Sequence, residues 1–189
     1  MSTSLENLFK ARHSCRKFDA NKPVEREKIE KILDAARLAP SARNGQPWFF
    51  HVVLNKEINH ALGKELQDIH SKNDPSIIKR SKDSGLQESI FYDAPVVIYA
   101  FTTKNGMDSE NFDLGLAFEA MSLEAENLKL GNVIEIMPRI ISEEAVLKRL
   151  DVPKDQFFYA NIAIGYRASD APIPPKTRKE LKEIAKFYE

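Results

Sequence analysis

The chain has 189 residues, of which 42% are hydrophobic and 30% are charged, as is typical of a soluble globular protein. This length favours a single domain over residues 1–189. Lysine plus arginine equals aspartate plus glutamate at 28 each, which disfavours a generic nucleic-acid-binding protein, because such proteins usually carry a basic excess. A single cysteine excludes an internal disulfide framework and fits a reducing compartment.

The N-terminal stretch lacks the apolar segment of a signal peptide, and no apolar run approaches the ~20 residues of a membrane span. We therefore expect a cytoplasmic protein whose partners include neither membranes nor nucleic acids. The four histidines, at positions 13, 51, 60 and 70, show no metal-ligand spacing with the lone cysteine. No metal site is expected.

Apolar periodicity predicts the first helix at residues 4–11 and a second at 24–38, where the proline at position 40 disfavours continuation. Runs of β-branched and aromatic residues predict buried strands at 48–54, 94–101, 133–137 and 157–166. Further helices are predicted within 57–92 (two or three), at 109–130 and at 143–150. Strands separated by helices indicate an α+β or α/β architecture.

The longest predicted helix, at 109–130, is apolar on two sides. Its second apolar stripe consists of Leu116, Ala120 and Leu123. A helix that is apolar on two sides must be covered on both. One cover is the sheet, and a partner subunit is a candidate for the other.

The C-terminal segment offers a first candidate anion site. After a proline-rich arm, a terminal helix is predicted with Thr177 and Glu180 as a capping box and with Lys176, Arg178 and Lys179 around its start. Cations there oppose the helix dipole, so the arrangement favours a bound anion such as phosphate. A solvated basic turn is the alternative.

A second basic cluster follows the first helix, with Arg12, His13, Ser14, Arg16 and Lys17 in sequence. Arg12 and Ser14 alternate along what reads as extended chain, so they can face the same way. Arginine binds phosphate through two hydrogen bonds, and the serine hydroxyl adds a donor. A charged loop that stabilises the C-terminus of the preceding helix is an equally good interpretation.

The third candidate is the polar stretch "APSARNGQPWFF", which carries Ser41, Arg43, Asn44 and Gln46 between a helix and a strand. Amide side chains pair well with planar rings whose edges alternate donors and acceptors. Alternatively, these groups satisfy the backbone of a turn. The chain has no glycine-rich dinucleotide fingerprint and no P-loop, so a phosphate would be held by side chains from distant segments.

Together, "RHSCRKFD", "AARLAPSARNGQPW" and "PKTRKEL" resemble, in order and spacing, three elements of the FMN-dependent nitroreductase family. The resemblance implies an α+β fold with a central mixed or antiparallel sheet flanked by helices. It also implies an intertwined homodimer with two FMN sites at the subunit interface.

Carried over residue by residue, the resemblance assigns the FMN phosphate and ribityl chain to Arg12, Ser14, Lys176 and Arg178. Arg16 would lie at the flavin N1–O2 edge, and the 41–44 loop would reach the flavin of the other subunit. Gln87 would lie near the pyrimidine ring and Glu135 near N5. The expected cofactor-binding residues are Arg12, His13, Ser14, Arg16, Ser41, Ala42, Asn44, Gln87, Glu135, Lys176 and Arg178.

The implied function is that of an oxidoreductase using NADPH or NADH. Hydride passes by a ping-pong mechanism through flavin N5 to a nitroaromatic, a quinone or a similar small acceptor. The flavin carries the chemistry, so no catalytic protein residue is expected, although Arg16 would stabilise the negative charge of the reduced flavin.

Two departures from the family pattern concern the substrate. Residues 132–140 contain no glycine, where many members have a glycine-rich segment beside N5, so the pocket could be narrower. Ala42 replaces the family's second serine. These departures leave two alternatives open: an FMN-binding protein for sensing or storage, or unusual chemistry such as dehalogenation, enone reduction or flavin fragmentation.

Cys15, next to Arg16, could act as a nucleophile of lowered pKa. Its place between Ser14 and Arg16 favours an inward-facing residue that packs like a small apolar side chain.

Overall fold

The computed structural model of the chain describes residues 4–103 and 108–189. Within these ranges it contains seven α-helices and four β-strands. The helices are α1 (Leu5–Ala11), α2 (Arg26–Arg37), α3 (Lys56–Ser71), α4 (Ser76–Asp83), α5 (Asp108–Asn127), α6 (Met137–Arg149) and α7 (Leu181–Ile184). The strands are β1 (Trp48–Val53), β2 (Val96–Thr102), β3 (Gly131–Glu135) and β4 (Phe157–Gly165).

The four strands form one antiparallel sheet in the order β1-β2-β4-β3. Helices cover both of its faces. Along β2, Val96 and Ile98 pack with α2 and α5, whereas Val97 and Tyr99 pack with α3, α4 and α6. A strand buried on both faces is apolar throughout rather than alternating, which is why this run was recognisable in the sequence. The predicted α+β class and its four strands are confirmed.

Short polar side chains begin several of the helices. Ser4 caps α1 by accepting from the Asn7 N–H at 3.4 Å, and Asn55 caps α3 by accepting from the Glu57 N–H at 2.9 Å. Such caps satisfy backbone donors that lack a partner in the first turn. α2 ends at Arg37, close to the predicted boundary before Pro40.

α6 is longer than the predicted 143–150 helix because it consists of two parts. Pro138 lies in its first turn, and Ser142 interrupts the helix with φ −166° and ψ 93°. The Ser142 hydroxyl accepts from the Ala145 N–H at 3.2 Å and so caps the second part. The prediction identified this second part alone.

The prediction for the C-terminal helix was wrong in its start. α7 is a single turn that begins after Glu180, and its capping box is formed by Glu180 with Glu183. Thr177 lies on extended chain that continues the proline-rich arm. Lys176 and Arg178 therefore precede the helix, and a helix N-terminus cannot be what attracts an anion to them.

A third helix between residues 85 and 92, which the sequence left open, is also absent from the structure; turns replace it. The Glu88 carboxylate accepts backbone N–H groups from Ile90 at 2.6 Å, Phe91 at 2.8 Å and Asp93 at 3.0 Å. A buried side chain thereby takes the place of helical hydrogen bonds. Glu88 packs against Gly63 of α3.

α5 buries one stripe fully, with Leu114, Ala117 and Met121 at 0% exposure against the sheet and α2. Its second stripe, Leu116, Ala120 and Leu123, is only partly buried in the single chain. What covers this second stripe remains a prediction.

Replacement of Gly63 by alanine is expected to destabilise the protein by roughly 1–3 kcal/mol through overpacking. A Cβ at this position would lie 2.6 Å from Cδ and Oε2 of Glu88, whose carboxylate is held by three backbone N–H groups. The matched control is Gly115→Ala in α5, where a Cβ meets nothing within 4 Å. This control should gain about 0.5–1 kcal/mol from helix propensity. Urea unfolding measures both, and equal stability of the two variants would contradict the packing of Glu88 on α3.

Candidate functional site

A cavity of about 620 Å³ opens between the end of β3, α4 and the turns at 84–92. Its volume lies within the range of small-molecule sites. Polar groups in its wall include Arg16, Lys17 and Glu135, and its apolar wall includes Ile77 and Ile90. The wall also contains His70, Arg80, Tyr92 and Met137.

The segment of residues 12–18 carries basic side chains to this cavity. Its Cys15 N–H donates to the Asn132 carbonyl of β3 at 2.8 Å, and Ser14 pairs with Asn132 as a parallel bridge. Side chains of extended chain alternate between faces. His13 and Cys15 are buried at 8% and 1% exposure, and Arg16 is exposed on the other side.

The inward orientation predicted for Cys15 is confirmed. Its burial raises the pKa of the thiol, which argues against a reactive thiolate. The His13 ring is buried too, and its Nδ1 donates to the Ala11 carbonyl at 3.0 Å. The structure therefore does not bring the His13 side chain to the face shared by Arg12, Ser14 and Arg16.

Ion pairs organise the basic groups of the cavity wall. Lys17 contacts Asp170 at 2.6 Å. Arg80 contacts Asp74 at 2.9 Å. Arg16 interacts with the Tyr92 hydroxyl, and its charge also acts on Glu135. Arg16 is thus the cation of the cavity wall whose charge acts on the Glu135 carboxyl.

Glu135 ends β3 and is 7% exposed. Its Oε2 accepts from the Asn161 side-chain N–H at 2.9 Å. Burial raises the pKa of this carboxyl well above its ordinary value, and the repulsion of Glu88 adds to the rise. The Asn161 amide and Arg16 act in the opposite direction. Glu135 and Arg16, both predicted site residues, are brought together here.

A second basic cluster lies at the C-terminal end of α1. Lys176 donates to the Phe9 carbonyl at 3.2 Å and to the Lys10 carbonyl. Its pKa is lowered by desolvation first, then by the charges of Arg12 and Arg178. Three predicted residues from opposite ends of the chain therefore meet. Glu119 and Glu126 offset part of their mutual repulsion, and a bound anion would offset more of it.

The polar loop of residues 41–46 lies away from the cavity of its own chain. The Ala42 N–H donates to both carboxylate oxygens of the buried Asp113, at 3.0 and 3.1 Å, and the Ser41 hydroxyl accepts from the Gln46 N–H at 3.0 Å. Asn44 is exposed. The predicted contacts of Ser41, Ala42 and Asn44 with a cofactor therefore require a second chain.

This loop is strained. Arg43, Asn44 and Gln46 all have left-handed backbone conformations, with φ of 54°, 56° and 44°. Such conformations are costly for residues other than glycine and concentrate at functional sites. The strain favours a binding role for the loop over a connecting role.

Gln87 is not brought to the cavity by the structure. It is exposed and faces a separate recess beside Asn21 and Lys56, because its backbone N–H is held by Asp93 at 3.0 Å. Its neighbour Ser89 lines the cavity instead. Sequence reasoning also missed Tyr92, whose left-handed φ of 58° had no signal in the sequence, and the loop anchor Asp113.

The glycine-free segment of residues 132–140 does not close the cavity. Ile136 and Ile140 are exposed at 47% and 66%, and Met137 contributes to the cavity wall. Of these three bulky side chains, Met137 alone is part of the cavity wall.

These features define an α+β fold with a ligand-sized cavity at a sheet edge. The segment of residues 12–18 brings Arg16 to this cavity, and its other end carries Arg12 into a cluster with Lys176 and Arg178 from the C-terminal arm. The family profile named Nitroreductase family matches residues 9–166. The chain belongs to the nitroreductase family.

Individual relatives agree with this assignment. The chain is 40% identical to the oxygen-insensitive NADPH nitroreductase of Helicobacter acinonychis over 57 residues, which is 30% of this chain and 27% of that protein. It is 22% identical to the major NAD(P)H-flavin oxidoreductase of Aliivibrio fischeri over 92% of this chain and 93% of that protein.

Among solved structures, a nitroreductase with bound FMN from Desulfitobacterium hafniense superposes with a TM-score of 0.83 at 25% identity. The match covers 100% of both chains.

Among the described helices, none combines the length and apolar character that crossing a membrane would need.

The stability of the protein is expected to fall, relative to that of the Glu88→Gln variant, as the pH rises from 5 to 8. Burial raises the pKa of Glu88 to about 7 from an ordinary 4.5. A raised carboxyl pKa contributes stability below pH 4.5 and loses it as the pH passes through 7. The loss amounts to a few kcal/mol, because one pKa unit corresponds to about 1.4 kcal/mol. Urea unfolding across this range measures it, and parallel pH profiles of the two proteins would contradict the prediction.

Proposed function

We propose that the protein is an FMN-dependent NAD(P)H oxidoreductase that reduces a nitroaromatic, a quinone or a similar small acceptor. One observation carries this proposal. Arg12, Lys176 and Arg178 meet at one end of the segment of residues 12–18, and the other end of this segment brings Arg16 to the cavity. The cluster suits the phosphate of FMN, and Arg16 suits the edge of the flavin ring that gains negative charge on reduction.

The donor set at the end of α1 fits a phosphate. Two guanidinium groups and an ammonium offer charge-assisted hydrogen bonds, and Ser14 adds a hydroxyl on the same face. Arg12 has Glu119 as its ion-pair partner at 3.8 Å, a distance too long for a strong hydrogen bond. A phosphate can therefore displace this weak contact at little cost.

The residues of the cavity fit the flavin ring and its chemistry. When bound, FMN supplies hydride chemistry, accepting hydride from a nicotinamide and passing two electrons to an acceptor. Arg16 would hold the negative charge that reduction places at the pyrimidine edge. Because a single cavity of about 620 Å³ serves donor and acceptor, the two would bind in turn, which gives ping-pong kinetics.

The wall of the cavity favours a flat, largely apolar acceptor. Ile77, Ile90 and Met137 offer apolar contacts, and the Tyr92 ring lies beside them. Such a surface suits aromatic and quinoid rings. The open cavity also favours turnover over storage of the cofactor, since storage needs no space for a second ligand.

We further propose a single domain over residues 1–189 that acts as a cytoplasmic homodimer. Exposed large apolar side chains on α1 and on the C-terminal arm, such as Phe9 at 53% and Phe187 at 75%, are unusual for a surface that faces water only. The second, partly buried stripe of α5, formed by Leu116, Ala120 and Leu123, adds to the apolar surface. A second chain would cover it and bring the 41–46 loop to the cofactor.

The purified protein is expected to show flavin absorption that bleaches with NADPH or NADH and returns with a nitroaromatic or a quinone.

Lys176→Ala should weaken FMN binding about 10–100-fold, because a charge-assisted hydrogen bond contributes roughly 1.5–3 kcal/mol. Fluorescence titration of FMN measures this loss. The control is Lys182→Ala, whose side chain is 79% exposed and pairs with Glu180. Equal FMN affinity of both variants would contradict the phosphate assignment.

Mixed dimers test whether each site is shared between chains. An Asn44→Ala chain and a Lys176→Ala chain, each weakened alone, should together recover about a quarter of the strong FMN sites after unfolding and refolding as a mixture. In a mixed dimer one site receives an intact loop and an intact phosphate cluster. No recovery would mean that loop and cluster serve the same chain's site, and light scattering reports whether dimers form.

A further inference from the structure

A row of three polar side chains crosses the buried sheet face that packs on α3, α4 and α6. Tyr99 of β2 lies opposite Asn161 of β4, which lies opposite Glu135 of β3. Tyr99 and Asn161 are 0% exposed. Asn161 donates to Glu135, and its own side-chain oxygen has no partner among the residues described. Glu135 ends the row at the wall of the cavity.

Glu135 is poorly equipped to carry a charge, as a comparison with Glu88 shows. The Glu88 carboxylate accepts three backbone N–H groups, and burial still raises its pKa to about 7. Glu135 accepts one amide N–H. The charged and titratable groups that face Glu135 are Arg16, Glu88, Tyr92 and Tyr99.

Of these four groups, only Arg16 favours the charged form of Glu135, and the effect of burial is larger than that of Arg16. The surroundings of Glu135 therefore favour the neutral form of its carboxyl over the charged form, and they raise its pKa well above the ordinary value. The phenol of Tyr92 is a poorer acid, because burial raises its pKa above the ordinary value.

We propose that Glu135 is the residue that donates a proton to the acceptor in the cavity, a role that rests on the proposed function. The position of its carboxyl in the wall gives it access to a bound ligand, and its burial keeps the proton from bulk water. A carboxyl whose neutral form is favoured by burial serves general acid catalysis in this way.

Reduction of a quinone to a hydroquinone takes up one hydride and one proton. The hydride carries two electrons and would be supplied by the nicotinamide when FMN is bound to the protein. The O–H bond of Glu135 breaks and a new O–H bond forms on the quinone oxygen, so a neutral hydroquinone leaves. Glu135 remains as a carboxylate beside the Asn161 N–H and Arg16, and water entering the cavity returns the proton.

The first test reads the proton directly, in protein without added cofactor. With ¹³C at glutamate Cδ, the signal missing from Glu135→Gln identifies residue 135, and the signal missing from Glu88→Gln identifies the comparison residue. We expect the Glu135 signal to leave the shift of a neutral carboxyl only at a pH well above the ordinary range, and the Glu88 signal to change near pH 7. A Glu135 signal that titrates with ordinary carboxylates near pH 4–5 overturns the proposal.

The second test separates proton delivery from electron delivery. FMN-loaded protein, reduced by NADPH, is mixed in a stopped-flow instrument with benzoquinone or with ferricyanide, which takes an electron and no proton. Glu135→Gln should reoxidise about 100-fold more slowly with benzoquinone and at the wild-type rate with ferricyanide. The control is Glu65→Gln, a carboxylate on α3 that pairs with Arg149 outside the cavity and should change neither rate.

The outcomes distinguish this proposal from the proposed function. Equal slowing with both acceptors, or an unchanged rate with benzoquinone, overturns the role of Glu135 while the oxidoreductase function stands. Wild-type protein that takes up no FMN overturns the proposed function, and the donor role falls with it.

Discussion

The site depends on the hydrogen bonds of one buried residue, Asn132. Its backbone carbonyl accepts from the Cys15 N–H at 2.8 Å, which fixes the segment of residues 12–18 along β3. Its side chain accepts from the Ser122 hydroxyl at 2.7 Å and donates to the Ser122 carbonyl at 3.1 Å, which fixes β3 on α5. One residue, 1% exposed, thus joins the sheet edge, the longest helix and the segment that carries Arg12 and Arg16.

Close packing reinforces this junction. Gly131 precedes Asn132, and a Cβ at this glycine would lie 2.8 Å from the Cys15 sulfur and 2.9 Å from Cγ of Arg167. Arg167 in turn forms an ion pair with Glu126 of α5. The chain therefore approaches itself closely beside Asn132, and a small residue at position 131 permits this approach.

Sequence reasoning succeeded where one physical effect dominates. The four strands were predictable because burial on both faces makes them continuously apolar, and the orientation of Cys15 followed from alternation along extended chain. Failures arose where tertiary contacts override local preference. Thr177 had the spacing of a cap, but the prolines before it keep the chain extended. The contact of Gln87 with a cofactor stays a prediction: in the single chain this residue lines a separate recess and its backbone N–H donates to Asp93, a contact that spacing along the chain does not reveal.

The anchoring of Lys176 has a consequence for the energetics of recognition. Its ammonium is hydrogen-bonded to the last carbonyls of α1, so the chain itself holds the C-terminal arm beside Arg12. Ordering a flexible lysine on association costs roughly 0.5–1.5 kcal/mol in side-chain entropy. The Lys176 side chain is already ordered in the folded chain, so a phosphate that binds there does not have to order it. The conformational entropy that Lys176 loses on binding a phosphate is therefore small, whereas the exposed Arg178 still has to be ordered.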